Sequence, residues 1–175
     1  MTIVEGAQPV FYHGTDAPID EPFRAFSHFG TRAAALHRAA VVVRKKTRQW
    51  NDGVYSNDLE APVYIYPVSV QMNNPLRVRD LTGKHSGHSP ADIARLLPKG
   101  EFGTEERRAY TYETLGAILA ERGYDGLVYE NAHEDAGSDS VIILNSEQAH
   151  ARAPEVITLR DALIELGVPE EHHHG

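Results

Sequence analysis

Phe11-Tyr12-His13-Gly14-Thr15, followed at short range by Phe26-Ser27-His28-Phe29-Gly30-Thr31, decides how this 175-residue chain is read. In each stretch an aromatic and a histidine run into a glycine and a threonine. Val10-Phe11-Tyr12 is rich in strand formers and reads as a short buried strand over residues 10–13, ending at Gly14. Glycine lets the backbone turn and lets a ligand approach main-chain N–H and C=O groups. A strand-end histidine beside such a glycine can grip a small polar ligand; it can equally be satisfied by local backbone, with Gly14 serving a plain turn.

Working outward, Phe26 to Phe29 reads as a second extended piece, and Thr31 as the N-cap of a helix whose Ala33, Leu36, Ala40 and Val43 form one apolar stripe. That helix ends in Arg44-Lys45-Lys46-Thr47-Arg48. The run reads first as a solvated helix end favoured by the negative C-terminal dipole, and second as a contact for a phosphate or an acidic target. Trp50 to Pro62 reads as a polar, mobile loop. Val63 to Val70 reads as a strong strand in which Pro67 implies an edge position or a bulge. Residues 80–110 read as irregular apart from a helix started by Ser89-Pro90 and ended by Leu96-Leu97-Pro98. Thr111 caps a helix carrying Leu115, Ile118 and Leu119 and stopped by Gly123. Gly123 to Tyr129 is a turn into a strand. A polar loop with Glu130, Glu134, Asp135 and Asp139 follows, and Val141 to Leu144 returns as the second strand of a hairpin. Thr158 caps a last helix that stops at Gly167. Short strands scattered among helices of unequal length, without regular alternation, give an α+β fold in one domain over 1–175, with mixed or antiparallel sheets and helices outside.

Composition narrows function. There are 17 Lys and Arg against 25 Asp and Glu, a net charge of −8 that argues against a broad phosphate-binding surface without excluding a local basic patch. There is no cysteine, hence no disulfide framework and no thiolate zinc site. No bilayer-length apolar run and no secretory signal is visible, which implies no membrane partner and a cytosolic protein, or an effector moved without a Sec signal. A metal-dependent hydrolase finds little support: no His-Glu-x-x-His helix occurs, and apart from the terminal histidines only His85 and His88 are closely spaced, so no metal is expected. His172-His173-His174 could bind metal adventitiously and carries no functional weight.

The ordered set Tyr12-His13-Gly14-Thr15, Ser27-His28-Phe29-Gly30-Thr31, Asn74-Pro75-Leu76, Gly123 to Tyr129 and Ser138 to Leu144 resembles the ADP-ribosyltransferase superfamily, on its diphtheria-toxin and poly-ADP-ribose-polymerase side. It is most similar to the small bacterial and phage members found in polyvalent proteins and toxins. The resemblance covers roughly residues 10–150. It implies two small sheets flanking an NAD cleft, with NAD as substrate and an acceptor, protein or nucleic acid, that the sequence does not identify. His13 would bond a ribose hydroxyl, and Gly14 would clamp the nicotinamide carboxamide through its backbone, with Thr15 following. His28 stands where the family places a tyrosine stacked on nicotinamide, with Phe29 and Gly30 after it. The family glutamate that holds the ribose 2′-OH aligns with Ser140, a hydroxyl without charge. Asp139, reached by a one-residue bulge at the strand entry, is the favoured replacement, with Glu134 and Asp135 as alternatives. The resemblance therefore implies an ADP-ribosyltransferase with His13, Asp139 and Ser140 as catalytic residues. The alternatives are an NAD glycohydrolase and a non-catalytic NAD or ADP-ribose binder; a phosphotransferase acting on RNA 2′-phosphates lacks a clear set of phosphate-placed cations. Tyr12, Tyr66, Tyr124 and Tyr129 read as core aromatics with wet hydroxyls, and Asp125 as a turn former.

Overall fold

The computed structural model describes residues 10–51, 53–79, 89–109 and 111–169. The expected loose segment 1–9, His85, His88 and the terminal histidines lie outside them. The chain is α+β, with four α-helices and several small sheets among the described residues. Its backbone contacts group into two compact units, one built from 10–21, 30–69 and 151–169, the other from 22–29 and 70–150.

In the first unit the strands β1 (Val10–Thr15), β5 (Pro62–Val70) and β10 (Glu155–Thr158) form an antiparallel sheet in the order β1-β5-β10. Helix α1 (Arg32–Thr47) starts where Thr31 accepts from the Ala34 N–H at 3.2 Å. Helix α4 (Leu159–Glu165) starts where Thr158 accepts from Asp161 at 3.1 Å. These caps satisfy N–H groups that the first turn leaves without an intrahelical partner. The buried stripe of α1 is Ala34, Ala35, Leu36, Ala39, Ala40 and Val43; Ala33, expected on it, is exposed. With Val63, Ile65, Leu159 and Leu163 this stripe makes the unit's core.

Gly14 is not a turn. Strand β1 runs through it, paired with Ile65. A Cβ there would lie 1.9 Å from the Ala35 carbonyl oxygen and 2.9 Å from the Ala39 Cβ, so the glycine lets α1 press onto the strand. Pro67 is not at an edge either, since β5 is the middle strand. Tyr12 spends its N–H and C=O on Gly30 (2.8 and 3.1 Å), so the Tyr12–Pro67 pair is a non-hydrogen-bonded one and the proline nitrogen points away from β1. On that other side β10 pairs only as far as Ile65, and Arg152 donates to the Pro67 carbonyl at 2.9 Å, a bond that needs no proline N–H. The missing N–H therefore costs the β1 and β10 ladders nothing.

The stretch expected as a mobile loop contains a small hairpin, β3 (Gln49–Asn51) and β4 (Val54–Ser56), with Trp50 opposite Tyr55. Arg32 forks between Glu155 and Glu165. The Arg32 hydrogen bond holds the Glu155 carboxyl below its ordinary range. Stability from this pair is present at neutral pH and is lost as pH falls through that lowered value. Because all three side chains are partly exposed, it amounts to about 1 kcal/mol or less.

In the second unit β2 (His28–Phe29), β6 (Pro75–Val78), β7 (Gly126–Glu130) and β8 (Asp139–Ile143) form a mixed sheet in the order β2-β8-β7-β6, with β6 and β7 parallel. The helices α2 (Pro90–Leu96) and α3 (Tyr112–Glu121) supply Ile93, Leu97, Leu115 and Leu119 to a core shared with Leu127 and Ile142. Ser89 and Thr111 cap them, as expected from the sequence. Phe26 is not extended: its φ is 65°, a left-handed conformation uncommon for a bulky residue, and its ring stacks on Tyr112 at 4.7 Å.

Two of the family-like motifs have local structural work here. Asp125 accepts from the Asn73 and Asn74 N–H groups at 2.5 and 2.9 Å, and Asn74 donates to the Gly123 carbonyl at 2.9 Å. They tie the start of β6 to the start of β7, so Asp125 works through long-range bonds between strands and not as the local turn former expected. Gln148 accepts from the Leu144 and Asn145 N–H groups and donates to the Gln71 and Asp125 carbonyls, satisfying four backbone groups with one side chain. It follows β8 and precedes the short β9 (Ala149–Ala151).

Candidate active site

Residues with chemical potential occur in both units. In the first, His13 pairs with Tyr66, and its side chain is on the sheet face away from α1, because Tyr12 and Gly14 occupy the α1 face. Gly14 shares the backbone parity of Tyr12. Its N–H and C=O are thus directed away from β5, toward the strand edge where Tyr12 meets Gly30. Thr15 accepts from the Ala17 N–H at 3.5 Å, a local turn contact. Gly30, expected at the cofactor, has both main-chain groups engaged with Tyr12 and acts as a bridge in the fold.

In the second unit register decides which side chains meet. His28 is opposite Ile142, and Tyr129 is opposite Ser140. Because side chains alternate along a strand, His28, Tyr129 and Ser140 share one face of the sheet. His28 Nδ1 and the Tyr129 hydroxyl are 3.2 Å apart, with the rings edge to face. Phe29 is on the opposite face, 1% exposed and packed edge-on against Phe23 at 4.8 Å. Its ring is part of the core and not presented for stacking, which corrects the expectation for Phe29; His28 in turn shares its face with Ile142, which belongs to the core made with α2 and α3.

Asp139 is also on the opposite face from Ser140. The β7–β8 register runs without a bulge, Tyr129 to Ser140 and Glu130 to Asp139, so the one-residue shift that would have brought Asp139 round is absent. Both Asp139 carboxylate oxygens accept from Arg77, at 3.0 and 2.7 Å. This hydrogen-bonded pairing raises the Arg77 pKa above its ordinary value.

Asn131, which sequence reasoning passed over, organises the loop before β8. It is 2% exposed, and its carbonyl oxygen accepts from the His133 and Glu134 N–H groups at 3.0 and 2.9 Å. Its amide nitrogen donates to Glu134 Oε2 at 3.2 Å and approaches Ser140 Oγ at 3.5 Å. The Asn131 backbone bonds Ser138 and Gly137, closing the loop on itself. Asn131 and Ser140 are the buried polar side chains among the described residues. A buried amide is retained where its hydrogen bonds are met, and here one of them aims a carboxylate. Asp135 serves the loop through its carbonyl, which accepts from Ser138. The loop thus delivers Glu134, not Asp139, to the residue that contacts Ser140. The signal was in the sequence: an asparagine in a polar run forms an Asx turn by bonding the N–H two residues on, here that of His133.

Among the described residues no cluster of three metal-ligating side chains occurs, and no helix is long and apolar enough to cross a membrane. Compared with known protein families, curated proteins and solved structures, the chain gives no significant match.

Proposed function

We propose that this protein is an NAD-dependent ADP-ribosyltransferase. The observation that carries the reading is Gly14: a strand residue beside a histidine, with its N–H and C=O directed to the strand edge. A carboxamide presents one acceptor oxygen and donor N–H groups, the complement of such a backbone pair. Nicotinamide carries that group, and His13 is the neighbour for its ribose. The order of motifs resembling the superfamily supports the same assignment.

The chemistry asks for little beyond positioning and charge. The bond between ribose C1′ and the nicotinamide nitrogen breaks, and the electron pair leaves with neutral nicotinamide. Positive charge develops on C1′ and the ring oxygen. An acceptor nucleophile adds at C1′ and gives up its proton, so that NAD and acceptor become ADP-ribosyl acceptor, nicotinamide and a proton. Fixed negative charge placed beside the developing cation is the strongest help a protein can give such a step. In our reading Glu134 is the carboxylate that supplies this charge; Asn131 fixes it within the loop before β8 and also approaches Ser140. With water as nucleophile the same steps give an NAD glycohydrolase.

Nicotinamide release from NAD, followed by chromatography with and without candidate acceptors, tests the proposal. His13→Ala is expected to weaken NAD binding by about tenfold, the value of one hydrogen bond to a polar ligand, and to lower release in proportion. Release unaffected by His13→Ala, or no NAD-dependent rise in melting temperature for the wild type, contradicts it. NAD binding without release favours the non-catalytic binder, for which a serine at position 140 is the supporting observation.

A further inference from the structure

The end of α1 and the hairpin after it carry cations and exposed rings in an otherwise acidic chain. From Arg44 to Trp50 there are four cations and no acid, in a chain of net charge −8. Lys46 is paired with Asp16, whereas Lys45 and Arg48 are exposed. Trp50 and Tyr55 are cross-strand partners on one hairpin face, their rings 4.5 Å apart. The Arg48 guanidinium lies over the Tyr55 ring at 3.7 Å. Trp50 nevertheless stays 58% exposed and Tyr55 42%. Leaving a tryptophan in water forgoes the burial that usually justifies it.

We propose that this patch binds single-stranded nucleic acid, with bases stacking on Trp50 and Tyr55 and phosphates neutralised by Lys45 and Arg48. Exposed aromatic surface set beside cations matches a strand whose base faces are open and whose backbone is anionic. A duplex hides its base faces, and an acidic peptide satisfies the cations while leaving the rings uncovered. A second copy of this chain, docked through the same patch, would set cation against cation. The proposal stands apart from the NAD reading, and its test contains no NAD.

Trp50 is the chain's sole tryptophan, so its fluorescence reports the site directly. The full chain is titrated with oligo-dT and oligo-rU of about 12 nucleotides, within the span such surfaces cover. Both are expected to quench Trp50 saturably and to similar extents, since phosphate and base face are read and sugar is not. Affinity is expected to fall roughly tenfold between about 50 and 200 mM salt, for about two to three neutralised phosphates. Tyr55→Ala is expected to weaken binding at least about fivefold, the value of one stacked base. Fluorescein-oligonucleotide anisotropy gives the same comparison for Trp50→Ala and for Lys45→Gln/Arg48→Gln, with circular dichroism confirming the fold. No quench at low salt, an equal quench by polyglutamate or by duplex, or full affinity in Tyr55→Ala and Trp50→Ala overturns the proposal.

Discussion

Glu134→Gln is expected to cut nicotinamide release by about a hundredfold to a thousandfold while leaving the melting temperature nearly unchanged. That is the typical loss when one preorganised electrostatic contact to a developing charge is removed. The substitution keeps the side chain's length and its acceptor toward Asn131, which donates at 3.2 Å, and deletes only the negative charge. NAD binding should change little, because the charge acts on the transition state more than on the ground state. Asp139→Asn is the matched control. Its carboxylate is on the far face of β8 and is held by Arg77, in a pair with both side chains substantially exposed. Removing that charge is expected to leave release within about twofold and to cost under about 1 kcal/mol of stability. If Asp139→Asn abolishes release and Glu134→Gln does not, the carboxylate has been placed on the wrong residue while NAD chemistry stands. If the wild type neither binds nor cleaves NAD, the chemistry itself is wrong.

Gly14→Ala is expected to destabilise the protein by about 3 kcal/mol or more, lowering its melting temperature by roughly 6–12 °C. The added Cβ would meet the Ala35 carbonyl oxygen at 1.9 Å, and backbone inside a helix cannot swing aside as a side-chain tip can. Strand β1 must then move off α1, opening the layer that Leu36, Ala39 and Ile65 close. Gly126→Ala gives a graded comparison. Its nearest neighbour is the Met72 sulfur at 2.1 Å, on a flexible side chain, with the Ile142 carbonyl oxygen next at 3.1 Å. A cost of about 1 kcal/mol is expected there. Gly100→Ala, with nothing within 4 Å of the new carbon, should be neutral within about 0.5 kcal/mol. Urea unfolding of the three variants checks the order. A neutral Gly14→Ala would mean that the glycine answers to a ligand and not to the packing of α1.

The parts of this fold that were legible in the sequence are those decided locally. Thr31, Ser89, Thr111 and Thr158 each cap the helix expected of them, because a cap is a contact between a side chain and an N–H three residues on. Gly123 and Gly167 stop helices with φ of 80° and 69°, as a left-handed terminus requires. What depends on a distant partner was not legible. Pro67 signalled an edge, yet it sits mid-sheet because β10 stops two residues short of it. Gln49-Trp50-Asn51 and Glu155 to Thr158 carry too little apolar alternation to read as strands, and each exists through its partner. The face on which Asp139 falls is set by the β7–β8 register across a long loop. A one-residue difference in that register exchanges Asp139 and Ser140 between faces. Asn131 was missed for a different reason: an asparagine in a polar loop is a weak signal, and its burial is what gives it weight.

Titration of the uniformly nitrogen-15-labelled protein with NAD tests the central claim most directly. The Gly14 amide should shift saturably and among the most strongly of all backbone amides, with the neighbouring His13 amide, and the same two should respond to nicotinamide alone. An unmoved Gly14 amide at saturating NAD would contradict the account.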